Sequence, residues 1–343
     1  MTEITREAIV PANQKEWLAM REKDLTSTEA SALFAASPYT TEYELHHIKT
    51  GELKKDFEAN DRMRWGNRLE AAIAAGIAED CGLIVEPFKC YMRIKELRMG
   101  SSFDYKIVGI VEDFTGDERA RDMFRKHGDG IMEVKNVDSL AFRRGWLEDG
   151  DDIEAPPYIE FQVQHQLEVA DLGWTLIAPL VGGNTPKPVL RERDRDLGAL
   201  IREKVAHFWA RVDAGVAPEP DFTKDADTIS QLYVDNDGSA IDLSDNPHVA
   251  DLCRAYKDAG ADEKAAGERK KAAKAELLTI IEAAKSVQAD GFKISAGTNK
   301  EVFKAYDRAA GQMVRISISQ LREAHIEATV PAFRNVRITQ QAA

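Results

Sequence analysis

The sequence predicts an α/β fold: a central mixed sheet flanked by helices, with a helical and small-sheet extension at the C-terminal end. Three observations carry this expectation. Strand-like stretches at 83–94, 104–109, 131–136 and 174–181 are interleaved with helical patterns at 61–80, 158–169 and 190–212. The apolar run Trp174 to Val181, bounded by Gly173 and Gly182-Gly183, reads as a strand buried on both faces. A long helical pattern from Val249 to about Ala284 then opens a separate region. The 343 residues have room for one large domain and a smaller one. We expect a core over 1–222, an acidic linker over 223–247 and an accessory region over 248–343.

Composition narrows the function classes. The chain is 43% hydrophobic and 31% charged, as globular chains are, and its net charge of -13 is the wrong sign for a protein that coats nucleic acid. A local basic channel is compatible with that balance. Cys81, Cys90 and Cys253 are too few and too dispersed for a disulfide framework, a zinc site or an iron–sulfur cluster. They read as reduced thiols. No signal-like apolar segment and no run long enough to span a membrane is visible, so a cytoplasmic, membrane-free protein is expected.

Taken in order, residues 12–23 allow a short helix with Trp17 and Met20 on one face. Thr26, Ser27 or Thr28 can cap a second helix whose buried stripe is Ala32-Leu33 and Phe34, stopping before Pro38. Arg21 ahead of those hydroxyls suits either a phosphate or a plain cap with a surface arginine. A helix over 41–50 ends at Gly51. Its adjacent His46 and His47 do not face each other, which argues against a metal site. In the helix Asp61 to Asp80, Met63, Leu69, Ile73 and Ile77 mark the buried side. Glu70 sits at its edge, as a surface neighbour of Arg68 or as an inward carboxylate. Asp104 begins the strand that follows the turn at 99–103. Residues 112–130 read as a connection with one helical turn, 140–147 as a short helix, and 148–152 as an acidic loop. Gln162, Gln164 and Gln166 cannot all face one way on the helix 158–169. Beyond the linker, 291–295 and 302–306 resemble a hairpin, followed by 314–317.

The chemistry centres on Ile131-Met132-Glu133-Val134-Lys135-Asn136. Side chains alternate along a strand, so Glu133 and Lys135 share one face while Met132 and Val134 anchor the other. Such a pair is either a solvated salt bridge or an acid and a base held together for work. With Glu70 and Asp104 it makes a set of oxygen ligands of the kind hard divalent cations prefer. No serine–histidine–acid grouping, Walker loop or G-x-G-x-x-G is present.

An ordered set of motifs carries a resemblance. Trp17…Arg21…Thr26-Ser27-Thr28-Glu29, Trp65-Gly66-Asn67-Arg68-Leu69-Glu70, Gly100-Ser101-Ser102-Phe103-Asp104, Glu133-Val134-Lys135 and Tyr158…Gln162-Val163-Gln164 together resemble the YqaJ-type viral recombinases. That group contains phage lambda exonuclease and lies within the PD-(D/E)xK nucleases. The resemblance covers roughly residues 12–222 and implies a restriction-endonuclease-like core. It implies that Asp104, Glu133, the backbone carbonyl of Val134 and Glu70 hold Mg²⁺ or Mn²⁺. It further implies that Lys135 activates water or stabilises phosphate charge, that Gln162 positions Lys135 or the water, and that Arg21 with Thr28 binds a 5′-phosphate. Phe103 replaces the usual proline, Tyr105 the usual glycine and Thr28 a common serine, and no catalytic group is lost.

The implied activity is 5′→3′ resection of linear double-stranded DNA to leave 3′ overhangs for a single-strand-annealing protein. A homotrimeric ring around the duplex and a phage or prophage origin in a bacterial cytoplasm follow from the same resemblance. The alternatives are a non-catalytic DNA-end-binding scaffold and an endonuclease of the same superfamily. Residues 249–343, outside the resemblance, read as a docking module for the annealing protein or a lid over the DNA channel.

Overall fold

The computed structural model describes residues 4–54, 61–150, 152–299, 302–307, 312–316, 329–330 and 333–340. The chain forms two compact units, Met1–Asp237 and Gly238–Ala343. The first opens with β1 (Arg6–Ile9), α1 (Gln14–Lys23), β2 (Leu25–Thr26), a 3-10 turn at Ala30–Phe34, α2 (Glu42–Thr50) and α3 (Asp61–Asp80). Four strands follow: β3 (Leu83–Pro87), β4 (Tyr91–Ile94), β5 (Met99–Ser101) and β6 (Tyr105–Ile110). Next come α4 (Arg119–His127), β7 (Gly130–Val137), α5 (Ser139–Gly145), β8 (Leu147–Asp149) and β9 (Asp152–Glu154). The unit continues through α6 (Pro157–Ala170), β10 (Trp174–Val181), β11 (Thr185–Pro186), β12 (Val189–Glu192), α7 (Arg195–Ala214) and α8 (Ala226–Leu232).

The main sheet is mixed, in the order β3-β6-β7-β10, with β11 and β12 both on the far edge of β10. β3, β6 and β7 run antiparallel, and β10 joins β7 in parallel. A parallel step needs a long crossover, and the chain between β7 and β10 supplies it through α6. β10 is buried along nearly its whole length, as its apolar run requires. Two cores lie on either side. Met132 joins Ile73 and Ile77 of α3, Ile107 and Trp174. Its neighbour Ile131 joins Leu167 of α6 with Ile201, Val205 and Phe208 of α7. Adjacent residues of β7 thus enter opposite cores, as strand alternation dictates.

A second, smaller sheet has the order β1-β4-β5-β2. The stretch 83–94, expected as one strand, is therefore divided between two sheets, and Met99–Ser101, expected as part of a turn, is a strand of the smaller one. Pro87, which has no N–H to donate, stands at the end of the β3–β6 ladder, opposite Tyr105. Phe88 N then donates to Asp104 O at 3.1 Å, and the Phe88 and Phe103 rings stack at 4.5 Å. Asp104 sits where the chain passes from one sheet to the other.

Several local expectations are corrected. Residues 26–28 do not cap a helix: Thr26 is in β2, paired with Gly100, and the helical turn that follows is five residues long. Met63 is 38% exposed and does not mark the buried side of α3. Within 112–130, α4 spans nine residues, more than one turn. Residues 190–192 belong to β12, because Asp194 accepts from the N–H groups of Asp196 and Leu197 and starts α7 there. Of the loop expected over 148–152, Glu148, Asp149 and Asp152 lie on the paired strands β8 and β9, and residue 151 lies outside the described residues. The first compact unit runs past 222 to Asp237, and α8 lies inside the stretch expected as a linker.

The second unit contains α9 (Pro247–Ile281), β13 (Ser286–Ala289), β14 (Phe292–Asn299), β15 (Val302–Asp307), β16 (Gln312–Ile316), β17 (Thr329–Val330) and β18 (Phe333–Gln340). Asn246 caps α9, with Pro247 at the first helical position. The strands form two sheets, β13-β14-β18 and β16-β15-β17. The expected pairing of 291–295 with 302–306 is replaced by a β13–β14 hairpin, in which Ala289 faces Phe292 across the two-residue turn Asp290-Gly291. Asp-Gly is a strong tight-hairpin signal because Gly291 can take φ +71°.

Candidate active site

The β6–β7 ladder ends at the pair Tyr105 and Met132. Asp104 and Glu133 are the next residue on each strand, so the end of the ladder brings two acids together. Beyond it Val134 has lost its strand partner on that edge, and its N–H donates to Asp104 Oδ2 at 2.8 Å. The N–H and C=O of one strand residue point to the same edge. The Val134 carbonyl therefore faces the edge that holds the Asp104 carboxyl.

Glu133 and Lys135 share a face, as their spacing requires. Lys135 Nζ donates to Glu133 Oε1 at 2.5 Å and to Gln162 Oε1 at 3.2 Å. Gln162 Nε2 donates to Glu133 Oε1 at 2.5 Å, so one carboxamide holds both members of the pair. Gln164 turns away and bonds Glu192 O and Asp194 N, as helix periodicity requires.

Sequence reasoning missed Gln166. One helical turn after Gln162, its Nε2 donates to Glu133 Oε2 at 2.7 Å and to Ser102 O at 3.2 Å. The i, i+4 spacing was the available signal. Glu133, 3% exposed, thus has donors on both oxygens.

The acids perturb one another. The Asp104 carboxyl is pushed well above the ordinary carboxylate range, first by burial and then by Glu133, with Lys135 opposing. Glu70 is also raised, by burial and then by Glu133. Glu70 is half-buried and feels Glu133 and Lys135, while Arg68 lies over the Trp65 ring at 5.2 Å. Burial pulls the Lys135 ammonium down, and Glu133 and Asp104 outweigh it, leaving the group raised and charged. Among the described residues no three histidine, cysteine, aspartate or glutamate side chains form a ready-made metal cluster. The donor chemistry still fits a hard divalent cation. Asp104, Glu133 and Glu70 crowd negative charge that a cation would relieve, and the Val134 carbonyl faces the same edge.

The sequence-predicted pair Arg21 and Thr28 lies on another wing. Arg21 Nη2 donates to Thr28 Oγ1 at 3.2 Å, and its guanidinium lies 4.6 Å from the Trp17 ring centre. Trp17 Nε1 donates to Ser102 Oγ at 2.7 Å. Ser102 therefore links this wing to Gln166 and, two residues on, to Asp104.

Residues 16–173 match the model of the YqaJ-like viral recombinase domain. The uncharacterized protein YqaJ of Bacillus subtilis (strain 168) is 27% identical over 237 residues, covering 68% of this chain and 67% of that protein. Among solved structures, the alkaline exonuclease LHK-Exo of Laribacter hongkongensis gives a TM-score of 0.42 at 19% identity, over 63% of this chain and 99% of that one. The same exonuclease in complex with dAMP gives 0.41 at 18% identity, with the same coverage. Residues 16–173 of this chain are thus similar to the YqaJ-like viral recombinase domain.

Proposed function

We propose that the protein is a metal-dependent nuclease that degrades linear double-stranded DNA from its ends, 5′→3′, leaving 3′ overhangs for a single-strand-annealing partner in recombination. The observation that carries this reading is the Asp104–Glu133–Lys135 group at the end of the β6–β7 ladder, in which Gln162 holds Glu133 and Lys135 and the Val134 N–H holds Asp104. The match of residues 16–173 to the YqaJ-like viral recombinase domain supports the recombination context.

Asp104, Glu133, the Val134 carbonyl and Glu70 are the oxygen donors that would hold Mg²⁺ or Mn²⁺. When bound, the ion supplies neutralisation of phosphate charge and a more acidic attacking water. Lys135, kept cationic by its neighbours, faces the scissile phosphate and either orients the water or offsets charge building on the phosphate oxygens. Gln162 keeps Lys135 and Glu133 in mutual register. The water oxygen bonds to phosphorus as the bond to the O3′ of the outgoing nucleotide breaks, and the proton lost by the water is balanced by one gained at O3′. The remaining strand keeps the phosphate on its 5′ end. Arg21 and Thr28 bind that new 5′-phosphate, so each cycle regenerates the group the enzyme recognises.

A ring of copies, three by resemblance, would enclose the duplex and turn acidic outer surfaces away from it, which accommodates the net charge of -13. The described residues contain no helix long and apolar enough to cross a membrane. The reading is tested by incubating linear and covalently closed circular DNA with Mg²⁺ or with chelator. We expect digestion of linear DNA only, lost with chelator and in Asp104→Asn. Cutting of closed circles would favour the endonuclease alternative. Absence of metal-dependent digestion would favour the end-binding scaffold.

A further inference from the structure

We propose that Lys49 is a positioning residue for terminal-phosphate recognition, holding Arg21 and Thr28 at the spacing that admits the anion. The inference rests on the reading of Arg21 and Thr28 as the 5′-phosphate site.

The two residues stand on separate segments. Arg21 is in the last turn of α1, a helix without a fully buried side chain, and Thr28 is in the turn after β2. The stretch between them is extended at Asp24, so local chain geometry alone does not set their separation. Lys49 reaches both segments from α2. Its Nζ donates to Arg21 O at 2.9 Å and to Asp24 O at 2.8 Å, and pairs with Glu29 Oε2 at 3.0 Å. An ammonium has three N–H groups, and these partners use all of them. Two are carbonyls at the end of α1, where a cation is favoured by the helix dipole. The same Glu29 oxygen accepts from Thr26 N at 2.8 Å and Thr26 Oγ1 at 2.9 Å, and Thr26 Oγ1 lies 3.3 Å from Thr28 Oγ1. One buried ammonium, 3% exposed, thus joins the end of the helix carrying Arg21 to the turn carrying Thr28.

The bond set also has an electrostatic consequence. Glu29 is adjacent in sequence to Thr28, and its carboxylate is 23% exposed. Without Lys49 it would add unbalanced negative charge beside the anion site. A lysine that reaches no substrate atom therefore governs whether the site prefers a phosphorylated end.

The test is equilibrium binding of the full chain, in chelator, to a duplex oligonucleotide carrying either a 5′-phosphate or a 5′-hydroxyl. Arg21→Ala, Lys49→Met and Lys49→Met/Glu29→Gln are compared with wild type, each checked for folding by circular dichroism. The double variant leaves no unpaired carboxylate and serves if the single variant does not fold. The wild type should prefer the phosphorylated end, and the folded Lys49 variant should lose about tenfold of that preference, the size of one charge-assisted hydrogen bond, with hydroxyl-end affinity unchanged. Equal weakening on both ends, or retention of the wild-type preference, would overturn the role of Lys49. An Arg21→Ala protein that keeps the preference would instead overturn the phosphate-site reading itself.

Discussion

Gln166→Met separates holding Glu133 in place from holding the fold together. Methionine nearly preserves the volume and removes both donated hydrogen bonds, to Glu133 Oε2 at 2.7 Å and to Ser102 O at 3.2 Å. Losing the bond to a carboxylate costs about 1.5–3 kcal/mol, and the bond to the neutral carbonyl about 1 kcal/mol. Gln166 Oε1 is itself buried without a hydrogen-bond partner among the described residues. Removing such an orphan acceptor returns about 1–3 kcal/mol. The terms largely cancel, so the melting temperature should move by only a few degrees. Activity has no such offset. Glu133 loses its only donor on Oε2 among the described residues and can pivot about Oε1, which Lys135 and Gln162 still hold. If that bond fixes the reactive orientation, kcat falls about ten- to a hundredfold. Initial rates on linear duplex, measured beside calorimetric melting, decide it. A wild-type kcat, or a rate loss that simply follows a large drop in melting temperature, would refute the reasoning.

Three further outcomes follow from the packing. Glu168, 1% exposed, accepts from Arg193 Nη2 at 2.7 Å and from Arg202, with Arg6 also close. Glu168→Ala removes the partner of Arg202 and leaves Arg6 and Arg193 to Asp171 alone, and should cost about 1.5–3 kcal/mol, lowering the melting temperature by roughly 5 °C; calorimetry showing almost no shift would contradict the network. Burial pulls His165 from 6.5 to about 3, so between those values the unfolded chain binds a proton that the native state does not. Stability should therefore fall as pH falls through that window, by up to about 1.4 kcal/mol per pH unit, and His165→Leu should flatten the slope in urea titrations. A Cβ on Gly100 would lie 2.1 Å from the Tyr91 hydroxyl and 2.8 Å from Asp24 Oδ2. Gly100→Ala should cost about 1–3 kcal/mol, read as a lower urea midpoint.

The central strand was legible because period-two alternation fixes faces without tertiary information: Glu133 with Lys135 against Met132 with Val134. The opposing faces of Gln162 and Gln164 were legible from helix periodicity for the same reason. Gln166 was equally placed by spacing, but its importance depends on where Glu133 lies. That proximity arises from the end of the β6–β7 ladder and cannot be counted along the chain. The division of 83–94 between two sheets was hidden because Tyr91 carries strand character whichever sheet it joins, and the strand at Met99–Ser101 was hidden because Gly100-Ser101-Ser102 reads locally as a turn. Thr26 to Thr28 suited a helix cap locally, and pairing of Thr26 with Gly100 overrode that preference. The Asp290-Gly291 turn was present in the sequence as a local signal, and it outweighed the apolar similarity that suggested a different hairpin.

The most direct measurement is digestion of linear duplex DNA labelled at either the 5′ or the 3′ end, with Mg²⁺, beside a Lys135→Ala control. The account predicts early release of 5′-terminal mononucleotides, late release of the 3′ label, and neither in the control. Early 3′ release, or equal digestion by the Lys135→Ala protein, would contradict it.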